Sequence, residues 1–457
     1  MPIEKNQFLS IFTKQALDDR ISLFLGAGGS CDVGYPSWSD MFKDCANALN
    51  IQIDESTDYY QLGQFYANTF GASELRKKLN EIINKNNYKS NLINELMNIG
   101  FTNLWTTNFD NALEINYRKK NILVNKIFKD SDLTSIEINK RINIFKMNGD
   151  ITNPDGIIAT QSDFEKYAYS HQLMLMFFKR ELISNTFLYI GYSFTDHLVL
   201  DCMSELTRYL GEFTTTHYTI MKNNPDNSNF KYFINDLEQR YHINVLLVDK
   251  YAEVTKILAE LNSRIRSKKV FISGAFSSLD NEIEEFSHEF SKQITTHLYQ
   301  NDYRIVNGIG RRFGTHLIGY ANEYLAKAGI KNIEKYLLVR PFVGKEKKSA
   351  ENKKRARKNV IDLCGTTIFL FGEMDKNALN CNSGVLEEYE IALKQHKTII
   401  PISYPGMISE IIWKKVKENI TQYPYLEGKI DYLTSSNNPE NIAKIIIQII
   451  NSVNESR

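Results

Sequence analysis

No stretch of about eighteen apolar residues occurs in this sequence, so no membrane-spanning helix is expected. The charged, amphipathic start MPIEKNQFLSIFTKQALDD also lacks the apolar core of a signal peptide. A soluble, cytoplasmic protein with no membrane partner is therefore expected. An excess of either charge is missing too: Lys+Arg number 55 and Asp+Glu 54. That balance gives no global electrostatic case for nucleic acid as a partner, so any charged ligand must be bound locally. Cysteine is sparse. The five residues Cys31, Cys45, Cys202, Cys364 and Cys381 are scattered, without a CxxC pair, which argues for reduced thiols and against bound zinc. The eight histidines make no metal-ligand pattern. His171, His197 and His217 read as packing or surface residues, with His197 nearest to a candidate nucleotide loop. No metal is expected. Internal repeats and low-complexity tracts are absent as well.

What is present is an alternation of short apolar runs with longer amphipathic segments. ISLFLGAGGS, NLWTTNFD, INIFKMNGD, TFLYIGYSF and INVLLVDKY are separated by helix-like stretches such as SWSDMFKDCANAL. This is the pattern of an α/β fold built on a mostly parallel sheet. It restarts after EVTKILAELNSRIRSKK, with KKVFISGAFSS, DYRIVNGIG, YLLVRPFVG, GTTIFLFGEMD and TIIPISY. At 457 residues the chain exceeds what one core usually supports. Two Rossmann-like domains are expected, 1–267 and 268–457, joined near a stiff helix.

Three loops of the first half put polar residues and glycine at the carboxyl end of a strand. In LFLGAGGSCDVG, Gly26, Ala27, Gly28 and Ser30 follow an apolar strand, where backbone N–H groups can approach a pyrophosphate. The spacing departs from GxGxxG, and a tight strand-to-helix turn is the plainer alternative. TTNFD places Asn108 and Asp110 in the same way, and KMNGD places Asn148 and Asp150. Each aspartate has a bland reading as a helix or turn cap.

Together these loops resemble the sirtuin family: GAGGS at 26–30, TTNFD at 106–110 and KMNGD at 146–150 match its nucleotide-binding and catalytic motifs in order. IGYSFTD at 190–196 and INVLLVDKY at 243–251 resemble the later strands that close over the adenosine half of NAD, which implies contacts from Gly191, Ser193 and Asp196. The family's zinc-binding cysteines are missing, which weakens the case for an acyl-lysine substrate. In the second half, VFISGAFSS, YRIVNGIGRRFG, IFLFGEMDKN and NSGVLEEYEIALKQHKTIIPI resemble the SLOG superfamily. A sirtuin-like domain followed by a SLOG domain is the architecture of the Thoeris antiphage effectors. That resemblance implies an NAD-destroying enzyme, assembled as a homotetramer or higher oligomer. It also implies activation by a cyclic ADP-ribose isomer from a TIR-domain partner, linked through that small molecule alone.

By the same resemblance Asn108 and the residue at 148 form the catalytic pair, with Asp110 beside them, and the family has histidine where this chain has Asn148. An asparagine amide keeps the size and hydrogen-bonding capacity of the position but takes up no proton near pH 7. Two explanations stay open: a natural departure in which Asp110 or another group compensates, or a deliberate substitution that disarms a toxic enzyme. The intact motif around the position favours the second. The leading expectation is an NAD glycohydrolase, impaired in this chain. The alternatives are a nucleotide-binding sensor whose first half is a pseudoenzyme, and a protein deacylase.

For the second half, Ser273, Gly274 and Gly308 end strands, and Ser383 and Gly384 open a helix that carries Glu387 and Glu388. Glycine lets backbone approach phosphates, and a carboxylate there can accept from ribose hydroxyls. Glutamate is also favoured at a helix N-terminus for the dipole alone. Arg355, Arg357 and Lys376 are the bases expected to neutralise the signal's phosphates. The bland reading of the basic segment 345–359 is a solvated face.

Overall fold

A computed structural model describes residues 2–54, 57–83, 90–136, 141–278, 280–341, 349–374 and 384–455. Two compact units divide the chain, Met1–Asn262 and Ser263–Arg457, the break falling within the helix Ala252–Ser267.

The first unit carries β1 (Ile21–Leu25), β2 (Asn103–Thr106), β3 (Val124–Ile127), β4 (Ile142–Lys146), β5 (Thr186–Ile190), β6 (His217–Lys222) and β7 (Ile243–Val248). They form one seven-stranded sheet in the order β3-β4-β2-β1-β5-β6-β7, with every described pairing parallel. Parallel strands need crossover helices, which cover both faces and make the central strands apolar throughout. β1 and β5 are buried at every residue. Trp105 stacks on Phe145 at 4.0 Å between ring centroids, locking β2 to β4.

Chain order makes β1 the pivot of this sheet. The chain leaves β1 for β2 on one side and later returns to β5 on the other, so the strand order reverses between β1 and β5. The carboxyl ends of strands at such a reversal leave a crevice in which open α/β sheets bind ligands. Here the backbones of the two loops nearly touch: Gly26 N–H donates to Ile190 O and Gly28 N–H to Gly191 O, each at 2.9 Å. A Cβ on Gly26 would lie 2.4 Å from Gly191 O. Gly191 has φ +65°, and a Cβ there would lie 2.2 Å from Gly29 N. These glycines are required by backbone approach, so the plainer reading of GAGGS as a tight turn holds alongside any role toward a ligand.

The second unit carries β8 (Lys269–Ser273), β9 (Arg304–Asn307), β10 (Leu337–Val339), β11 (Thr366–Phe369) and β12 (Thr398–Pro401), a parallel sheet in the order β10-β9-β8-β11-β12. Its reversal lies between β8 and β11. The helices Asn281–Gln300, Phe313–Lys327 and Pro439–Glu455 bury apolar faces in one core with the strands. Among the described residues no helix is long and apolar enough to cross a membrane.

Candidate functional site

Asn108 follows β2 and is 7% exposed. Its backbone N–H donates to Thr106 Oγ1 at 3.0 Å, and its amide Nδ2 donates to Gly26 O at 3.0 Å and Ser30 Oγ at 2.8 Å. The side chain is thereby clamped across the end of β1. Its carbonyl, Oδ1, is buried and finds no hydrogen-bond partner among the described residues. An orphaned buried acceptor costs about 1–3 kcal/mol, which a ligand hydroxyl in the crevice would recover. Ala27, Ser30, Trp38, Phe109 and Asp110 line a cleft around it.

Asn148 stands on the turn after β4 and is 1% exposed. The turn is fixed from both ends: Met147 N–H donates to Thr106 O at 2.8 Å, and Ile158 N–H donates to Asn148 O at 2.9 Å. Gly149 has φ +90°, and a Cβ would lie 2.3 Å from Gly156 O, so the NGD turn requires glycine. The Asn148 amide donates to the Tyr60 hydroxyl at 2.9 Å, and Tyr60 reaches Asp196 Oδ2 at 3.3 Å. Burial, and next the charge of Asp196, push the Tyr60 phenol well above its ordinary value. Burial likewise raises the carboxyl of Asp196. Asn148 and Asp196 stand out in the sequence; Tyr60 does not. Tyr60 comes from the helix Tyr59–Phe70, which belongs to none of the three strand-end loops, and its neighbour Tyr59 is chemically identical.

Beneath this turn lies a buried charge cluster that the sequence did not announce. Lys146, the last residue of β4, is fully buried; it donates to Asp150 Oδ2 at 2.6 Å, Phe109 O at 3.0 Å and Glu114 Oε1 at 3.3 Å, and also contacts Asp110 O. Lys126 donates to the other oxygen of Asp150 at 2.7 Å. Burial opposes the charge of Asp150, but Lys146, Lys126 and Thr152 outweigh it and hold the carboxyl at about 2. Asp110 differs: burial dominates and raises its carboxyl, against Lys146, the Ala112 N–H and Ser30. Asp110 Oδ1 accepts from Ala112 N and Asp150 Oδ1 from Thr152 N, each at 2.8 Å, so both aspartates also fill the capping role allowed for them. The Lys146 cluster thus couples the loops after β2 and β4.

Of the remaining first-half positions, Gly191, Ser193 and Asp196 follow β5 at the reversal, whereas His217 opens β6 at the opposite end of the sheet. Gly191 and Ser193 are exposed at the end of β5, and Ser193 shares a hydrogen bond with Thr195 at 2.8 Å. Asp196 caps the helix His197–Leu210 by accepting from Leu198 N–H at 2.9 Å. His197 is exposed on that helix's first turn. His171 stacks on Tyr167 and His217 is a core residue that accepts from Phe187 N–H at 3.1 Å. Burial pulls the His217 imidazole down to about 3.

In the second unit, Ser273 at the end of β8 donates to Glu388 Oε2 at 2.5 Å. Arg357 Nε donates to Glu388 Oε1 at 3.1 Å, and the same guanidinium contacts Glu387. Burial raises the Glu388 carboxyl despite Ser273 and Arg357. Gly384, first residue of the helix Gly384–Lys394, lies so close to Arg357 that a Cβ would meet Nη2 at 2.6 Å. Gly274 is packed under Leu370 O and the Phe313 ring, and Gly308 lies in the turn after β9. Arg355 does not join this group: it is exposed and donates to Asn352 at 3.2 Å. On the helix Ser349–Asp362, positions 355 and 357 lie on different faces, and only 357 turns toward the strand ends. Lys376 and Ser383 lie outside the described residues.

Comparisons with known proteins follow the same two units. Residues 102–246 match the family model of the SIR2-like domain, and residues 253–453 that of the Sir2- and TIR-associating SLOG family. Similar curated proteins include the NAD(+) hydrolase ThsA of Bacillus cereus (strain MSX-D12), 28% identical over 467 residues that cover 98% of this chain and 97% of that one. Another is the NAD(+) hydrolase ThsA of Enterococcus faecium, 28% identical with 99% of each chain covered. The protein of that name from Cytobacillus dafuensis is 27% identical over 100% of this chain and 98% of its own.

Proposed function

We propose that this chain, a Thoeris-type effector with a SIR2-like domain followed by a SLOG domain, is an NAD+ glycohydrolase whose second domain receives the activating signal. The observation that carries the reading is the clamped Asn108, whose buried Oδ1 is left without a partner at the strand reversal. A ribose hydroxyl of bound NAD would donate to it. Cleavage of the nicotinamide–ribose bond needs little covalent help, because the pyridinium leaves as a neutral base and positive charge develops on the ribose. The protein's tasks are to hold the sugar, exclude stray water and take a proton from the attacking water. Asn108 serves the first. The last has no agent at Asn148, so this chain holds NAD more capably than it cleaves it.

Asn108→Ala is expected to weaken NAD binding about tenfold, one hydrogen bond of ~1.4 kcal/mol, in calorimetry on the full chain. Undiminished affinity in a folded variant would remove the crevice from the NAD site.

In the same reading the SLOG domain binds a cyclic ADP-ribose isomer supplied by a TIR-domain partner, and NAD loss in the cytoplasm follows. Binding shifts the chain toward an active homotetramer or larger assembly, because a ligand moves an equilibrium only by its differential affinity for the two states. Glu388, held by Ser273 and Arg357 at the end of β8, suits a ribose diol, and Arg357 suits a phosphate. Arg357→Ala should therefore weaken binding of the cyclic nucleotide at least about tenfold, a lost charge-assisted hydrogen bond, while Arg355→Ala leaves it nearly unchanged. The reverse order would relocate the site to the exposed face of that helix.

A further inference from the structure

We infer that the second unit carries a site for a divalent transition-metal ion of the zinc class, formed by Glu284, His288 and His316. Glu284 and His288 stand one turn apart on the helix Asn281–Gln300, and His316 projects from the helix Phe313–Lys327. One donor atom from each lies within 4.8 Å of the others. No histidine cluster is visible in the sequence because the two imidazoles stand on different helices; packing brings their ring centroids to 3.8 Å.

The donor set and spacing suit such an ion. Two imidazoles and one carboxylate are a recurrent zinc set, with water completing a tetrahedron. Donors about 2.1 Å from a tetrahedral ion stand about 3.4 Å apart. His316 Nε2 and Glu284 Oε2 are separated by 3.4 Å.

The supporting groups point the same way. A ligating histidine usually has its other ring nitrogen held by a hydrogen bond, which fixes the ring and the tautomer. Ser287 Oγ holds Nδ1 of His316 at 2.8 Å, and the Tyr320 hydroxyl holds Nδ1 of His288 at 3.3 Å. Each imidazole is thus left with Nε2 as its donor. Arg312 contacts Glu284 Oε1, leaving Oε2 toward His316. His288 is exposed, which provides a route of entry, while Glu284 and His316 are half-buried. A bound ion would clip together the helix after the β8 loop and the helix after the NGIG turn, two segments that carry strand-end loops of the second unit.

Zinc alone is the probe. The full chain, stripped with chelator, is expected to bind one Zn2+ in competition titrations, with a rise in the thermal unfolding temperature that follows the free-ion concentration. His288→Ala, an exposed substitution, should lower that affinity by more than about 100-fold, the upper range for losing even an outer partner. Ser287→Ala should lower it about tenfold, since the ring is then no longer held. Binding that survives His288→Ala and His316→Ala alike, or that disappears only when the cysteines are alkylated, overturns the assignment, as does a full chain that takes up no zinc.

Discussion

Asn148→His is expected to raise NAD cleavage at least about a hundredfold, the lower range for general acid–base assistance. The turn that would present the imidazole is complete: Gly149 is in its required conformation, Asn148 O is bonded to Ile158 N, and the Tyr60 hydroxyl already meets the side chain of residue 148. A neutral imidazole at that place would take the proton that the amide cannot. The pH profile separates this from a general improvement in packing. Because the base works only when unprotonated, the gain should be absent well below the ordinary histidine value of about 6.5 and develop as pH rises through it. The Asn148 chain should show no such step. Nicotinamide release, measured with the cyclic nucleotide present across this range, decides the matter; equal rates at all pH values would favour the inert-sensor reading.

Lys146→Met is expected to destabilise the first unit by about 3–5 kcal/mol, the cost of stranding buried partners of a removed charge. Glu114 and Asp150 would lose their shared ammonium, and the carbonyls of Phe109 and Asp110 would lose a donor. Urea unfolding monitored by tryptophan fluorescence measures the loss, with Trp38 and Trp105 reporting on this unit. Adding Glu114→Gln should return part of the stability, because one stranded charge is then gone. The pH dependence carries a sign. The folded-state value of Asp150 lies at about 2, below the ordinary value of about 3.9, so its contribution is complete above that ordinary value. It is lost as pH falls toward the folded value. The parent chain should weaken across that window, and Lys146→Met should weaken less. A midpoint unmoved by Lys146→Met would show that the cluster is not what holds the two loops.

The strands most legible in the sequence were those buried on both faces. ISLFL, NLWT, INIFK and TFLYI are apolar because helices cover both sides of a parallel sheet, and each is followed by a polar or glycine-bearing loop. β3 and β6 did not stand out. VNKI alternates between half-buried and buried residues at the sheet edge, and HYTIMK begins with a histidine that only the fold makes a core residue. The glycines were readable as strand-end turns, but that Gly26 and Gly191 answer to each other's backbones follows from β1 lying beside β5.

Residue order alone therefore determined the two-domain α/β plan, the three polar loops of the first half and the presence at 148 of an amide, which takes up no proton near pH 7. These are properties of local pattern and of side-chain chemistry, and packing does not alter them. Partnership was decided by tertiary structure. Tyr60 reaches Asn148 because the helix Tyr59–Phe70 lies against the turn after β4; Lys146 is a sequence neighbour of that turn and the centre of a buried ion cluster in space. Arg357 rather than Arg355 meets Glu388 because two residues along a helix turn a side chain through about 200°. Glu284, His288 and His316 converge only because two helices pack side by side. Sequence spacing encodes which face a residue occupies, while the element facing it is set by the order in which strands join the sheet.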